Sequence, residues 1–66
     1  MKRKEMAMMA KVFNALADAP KLSREELQAV WDEAQAYRRT LPTPEERFAF
    51  YLDSGMEALS FMVTHD

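Results

Sequence analysis

Cysteine is absent from this chain, histidine occurs once (His65), glycine once (Gly55) and isoleucine not at all. Without cysteine there is no disulfide and no thiolate, and a lone histidine cannot supply the ligand set of a structural zinc site. At 66 residues the chain has room for one small domain, and such a core rarely supplies more than about 3–5 kcal/mol. Packing and self-association are the remaining sources of stability.

Branched aliphatic residues are also scarce. Valine appears three times against ten alanines and six methionines, a balance that favours helices, because β-branched residues suit strands while Ala, Met, Leu and Glu lose little entropy in a helix. No sheet is expected. Long apolar runs are missing as well: Met6 to Ala10 and Phe48 to Leu52 span five residues each, whereas a bilayer span needs about 18. Lys2, Arg3 and Lys4 precede an apolar stretch ending Ala17-Asp18-Ala19 in the outline of a signal peptide, but Glu5, Lys11 and Asn14 interrupt its apolar block. The reading is a cytoplasmic chain without a membrane span, and the lack of cysteine agrees with it.

Charge is uneven. Residues 1–11 carry four basic side chains and one acidic, while residues 12–66 carry five basic and ten acidic. A nucleic-acid binder more often shows a basic stripe across its folded surface. Contact with a phosphate backbone would rest on Lys2, Arg3, Lys4 and Lys11, doubled in a dimer.

Two helix starts are explicit. Ser23 and Glu26 have the spacing of a capping box, flanked by Leu22 and Leu27 as a hydrophobic staple. Thr43-Pro44-Glu45-Glu46 offers a cap, a proline where its missing N–H costs nothing, and two acids at the positive end of the helix dipole. Pro20 and Pro42 end the preceding segments. The expected fold is all-α: a three-helix compact bundle with short connections, helices at about 4–18, 24–40 and 44–63, in one domain over residues 1–66 with residues 1–4 frayed, completed by dimerisation.

At about 100° per residue the middle helix has one apolar face, formed by Leu27, Val30, Trp31, Ala34, Tyr37 and Leu41. The other two have more than one. In the third, Phe48, Leu52, Gly55, Leu59 and Met62 form a seam while Phe50 and Phe61 point to the far side. In the first, Met6, Met9, Phe13 and Leu16 form a seam while Met8, Val12, Ala15 and Ala19 line nearly the opposite side. The expected core is Phe13, Leu27, Val30, Trp31, Ala34, Leu52, Leu59 and Met62, which leaves Met8, Val12, Phe50 and Phe61 as the protein interface. Methionines suit surfaces that adapt to a partner, and Gly55 suggests close approach of another helix, across from Trp31.

No motif of catalysis appears. There is no Gly-rich phosphate loop and no paired histidine, and the acidic pairs Glu25-Glu26 and Glu45-Glu46 are explained by capping. Ser54 beside Gly55 is not a nucleophile elbow, which needs a strand before it. No catalytic, metal or cofactor residue is assigned, and no cofactor is expected. Acidic pairs at both later helix starts also disfavour a helix-turn-helix reader. Membrane-surface attachment by the first helix is disfavoured by the thinness of its polar face. The resulting expectation is a non-enzymatic protein–protein interaction module: a homodimer, or a partner of a larger protein as adaptor, chaperone-like factor or stoichiometric inhibitor of the kind phages and plasmids encode. The alternative is a small dimeric nucleic-acid-binding regulator using the basic N-terminus.

Overall fold

The computed structural model describes residues 3–64. Over that span the chain forms four α-helices, α1 (Arg3–Ala17), α2 (Arg24–Arg39), α3 (Pro44–Asp53) and α4 (Met56–Thr64), with one 3₁₀ turn at Ala19–Lys21. No strand occurs among the described residues. Lys2 and His65 lie outside them.

The anticipated caps are present. Ser23 Oγ accepts from the Glu26 amide at 3.1 Å, and the Glu26 carboxylate accepts from the Ser23 amide at 2.8 Å. These bonds hold the Glu26 carboxyl below its ordinary value, the Ser23 backbone contributing most. Thr43 Oγ1 accepts from the Glu46 amide at 3.1 Å and donates to the Glu46 carboxylate at 3.0 Å. Pro20 sits in the 3₁₀ turn, where the Lys21 amide donates to the Asp18 carbonyl at 2.8 Å; a proline within α1 would have removed a helical bond.

Arginines close the corner between α2 and α3. Arg47 Nη1 donates to the Leu41 carbonyl at 2.7 Å, and Arg38 Nε donates to the Arg47 carbonyl at 3.0 Å. The Arg38 guanidinium also lies 5.0 Å from the centre of the Tyr51 ring. The Leu41 carbonyl, outside both helices, thereby gains a charged donor, and the Arg47 carbonyl in the second turn of α3 takes a second one.

The third predicted helix is two helices. It ends at Asp53, Ser54 caps it in the right-handed region, and Gly55 adopts φ +84° before α4 begins. Only glycine enters that region without a steric penalty, so it commonly follows a helix C-cap. The Ser54 amide still donates to the Phe50 carbonyl at 2.9 Å, and the Leu59 amide starts the next ladder on the Gly55 carbonyl at 3.2 Å. Gly55 is indeed a point of close approach, but to α1 rather than to Trp31: a Cβ there would lie 2.9 Å from Leu16 Cδ1 and 3.6 Å from Phe13 Cε1.

The break decides which faces go inside. In an unbroken helix Phe48, Leu52 and Leu59 would share one side, within roughly 40° of each other at 100° per residue. The turn at Gly55 instead sends Met56, Leu59 and Val63 inward together with Phe50, and leaves Phe48 and Leu52 outside. Val12, Ala34, Met56 and Leu59 are wholly buried, and Met8, Ala15, Leu27, Phe50 and Val63 complete one core. Phe50 also meets the Tyr37 ring, with centroids 5.1 Å apart. α4 packs most extensively on α2, and α1 lies across both.

Three interface expectations are thereby corrected: Met8, Val12 and Phe50 belong to the core. Three core expectations reverse in turn, since Phe13, Leu52 and Met62 are exposed. Val30 and Trp31 are only partly buried against the core, whereas Leu27, Ala34 and Leu59 lie within it. For α1 the reason is steric: Val12, Ala15 and Ala34 are small enough to bring α1 close to α2, and a phenylalanine in their place would hold the helices apart.

Phe50→Ala removes a buried ring at a cost of about 3–5 kcal/mol, the whole stability of a domain this size, so circular dichroism at 25 °C should show loss of most helical signal. Phe48→Ala, two residues away and 60% exposed, should change the urea midpoint by no more than about 0.5 kcal/mol equivalent. Ser23→Ala should cost about 1 kcal/mol in the same titration. Because the Glu26 carboxyl is lowered in the folded state, its contribution is present above the ordinary glutamate value and is lost as pH falls through the folded one. Ser23→Ala should therefore flatten the acid limb of the stability profile.

Candidate protein-binding surface

Three of the four described helices, α1, α3 and α4, also carry large apolar side chains that the core does not take up. On α1 these are Met6, 66% exposed, and Phe13, 47% exposed. They are seven residues apart, two turns along one side. On α3 they are Phe48 and Leu52, one turn apart on the side opposite Phe50.

Phe13 reaches the turn that follows α3, as its approach to Gly55 shows. Farther along, Glu5 of α1 and Glu46, Ala49, Phe50 and Asp53 of α3 line a cleft of about 220 Å³. Its walls are acidic, and none of the three carboxylates forms an ion pair among the described residues. Tyr37, behind Phe50, senses them: burial raises its phenol above the ordinary value, and the charges of Glu5 and Glu46 add to the rise.

On α4, Phe61 and Met62 are exposed. Phe61 lies about 160° from Leu59 and Val63 by helical geometry, on the side of α4 turned away from the core. Of the four residues expected at an interface, Phe61 alone is on the surface. The sequence signal that bears on Phe48 and Leu52 was the glycine that breaks the helix; for Met6 and Phe13 on α1 the sequence held no such signal.

The basic residues are not gathered. Lys11 is held on both carboxylate oxygens of Glu33 at 2.8 Å, bridging α1 to α2 beside a shallow open groove lined by Ala7, Met8, Ala10 and Asn14. Arg3 and Lys4 are exposed at the start of α1. No group of three or more His, Cys, Asp or Glu placed to hold a metal ion occurs among the described residues, and no described helix is long and apolar enough to cross a membrane. Ser54 is fully buried, and its Oγ has no hydrogen-bond partner.

Glu5→Gln together with Glu46→Gln should lower the Tyr37 phenol toward its ordinary value, though not all the way, because burial is the larger cause. Ultraviolet titration of a Tyr51→Phe background, in which Tyr37 is the remaining tyrosine, reads this directly. The raised phenol also means that Tyr37 contributes stability below the ordinary tyrosine value, lost as pH rises through the folded one.

No family model, no curated protein and no solved structure matches this chain.

Proposed function

We propose that this protein is a non-enzymatic binding module whose contact surface is formed by Met6 and Phe13 on α1 and Phe48 and Leu52 on α3. The observation that carries the reading is the exposure of Met6 and Phe13 along one side of α1 and of Phe48 and Leu52 along one side of α3, outside a core that is already filled. Scattered apolar side chains on a surface need no explanation, but contiguous ones mark interaction sites, and aromatic residues are the usual anchors of protein interfaces.

The border of the surface describes the partner. Glu45 precedes Phe48 by one turn, and Glu5, Glu46 and Asp53 line the adjoining cleft. A protein face with an apolar centre and a Lys- or Arg-bearing rim is complementary in both respects, the charges steering encounter and the ring burial supplying affinity. The same acidic border repels phosphate. With Lys11 paired to Glu33, a nucleic-acid role retains only the first residues of α1 as its support.

The double substitution Phe48→Glu and Leu52→Glu should leave helical content and urea midpoint within about 0.5 kcal/mol of the parent. It should weaken both self-association, read by light scattering across concentration, and capture of partner protein on an affinity matrix, by at least about tenfold. Unaltered association and capture would overturn the reading. Salt-sensitive retention on nucleic acid that disappears on changing Arg3 and Lys4 to Ala would replace it with the alternative.

A further inference from the structure

The junction between α3 and α4 has features of a hinge. Gly55 is held at φ +84° with α1 side chains against it, and Ser54, immediately before it, is wholly buried with its hydroxyl unpartnered. A buried hydroxyl without a partner is a cost to the closed arrangement that opening would remove. Between Thr43 and Thr64 there is no proline after Pro44, so nothing in the covalent chain prevents one continuous helix through this segment.

The side-chain pattern suits that continuous helix. At 100° per residue Phe48 and Leu52, exposed on α3, come onto the same side as Met56, Leu59 and Val63, the buried residues of α4. The two surfaces that the turn separates are thus one apolar side of a straight helix. Straightening, however, removes α4 from α2, and Met56, Leu59 and Val63 must be enclosed again. A second copy of this chain offers the one pocket already shaped for them, among Val12, Ala15, Leu27 and Ala34, with no new contact to be found.

We propose that Ser54–Gly55 is a hinge about which α4 exchanges between two copies of the chain. In the exchanged dimer each α4 occupies its partner's core, and Phe48 and Leu52 come to lie along the junction of the two copies. The closed monomer prevails in dilute solution because its own α4 is present at high effective concentration, and the dimer gains with protein concentration. This inference goes beyond the binding reading and can fail without it.

Gly55→Ala distinguishes the two states, because alanine disfavours the positive φ of the closed turn and favours a continuous helix over glycine. The variant should have a dimer dissociation constant lower by about tenfold or more, reading as a doubling of the 7.7 kDa mass by light scattering with helical content undiminished. Ser54→Ala removes the unpartnered hydroxyl and should shift the same equilibrium toward monomer. Isotope-filtered NMR on labelled and unlabelled chains refolded together should show Leu59 and Val63 contacting Val12 and Leu27 between chains in the dimer.

A folded Gly55→Ala variant that stays monomeric at millimolar concentration overturns the proposal. So does a dimer in which those contacts are all within one chain; if Phe48→Glu and Leu52→Glu dissolve that dimer, the binding surface stands and the exchange does not. Should Gly55→Ala fail to fold, co-refolded parent protein decides: interchain contacts that Ser54→Ala diminishes support the hinge, and their absence at millimolar concentration ends it.

Discussion

The positive φ of Gly55 is the constraint on which the rest of this structure depends. A helix from Pro44 onward has a good start and no internal proline, and its own propensity would carry it to the end of the described chain. The single glycine ends it at the point where α1 passes, and the turn brings α4 back over α2. Met56 and Leu59, wholly buried, reach the core only because of that reversal.

What the reversal encloses is compact and lightly fastened. One surface ion pair, Lys11 to Glu33, bridges α1 and α2, and half-exposed pairs of this kind contribute little. The α2–α3 corner is better tied, because Arg47 places a charged donor on the Leu41 carbonyl, which no helix satisfies, and Arg38 reaches from α2 to the Arg47 carbonyl of α3. Arg24 reaches the Val63 carbonyl at 3.4 Å, a long bond from the start of α2 to the last turn of α4. The core itself is built largely from alanine, valine, methionine and leucine around one phenylalanine. Small side chains let four short helices approach closely, but they also leave larger apolar groups on the outside.

Those outside groups connect the fold to the proposed role. An α-helix that is apolar almost all round must hide more than one side, and four short helices cannot do this for α1 and α3 together. Met6, Phe13, Phe48 and Leu52 are the remainder, and the acidic cleft between their helices gives that remainder a sign of charge. The buried Ser54 hydroxyl and the adjoining glycine mark where the arrangement is held at a cost. Binding surface and hinge therefore arise from one circumstance: the apolar side of the segment from 48 to 63 is divided by a turn, half inside and half out.

Local features of the chain were legible from residue order. The Ser23–Glu26 box, the Thr43 cap with Pro44 behind it, the stops at Pro20 and Pro42 and the wholly helical character each depend on a few neighbouring residues, and such short-range chemistry acts the same way in any context. The middle helix, with one apolar face, also showed its buried side in Leu27 and Ala34. Where a helix offered two apolar faces the choice was not local. Val12 went inside and Phe13 outside because close packing against Ala34 rewards small side chains, and Met56 and Val63 rather than Leu52 and Met62 joined Leu59 in the core because the turn at Gly55 reoriented everything after it. Periodicity counts apolar positions around a helix axis but carries no information on which neighbour will lie there. That was decided only when one glycine took a left-handed conformation and the helices closed around it.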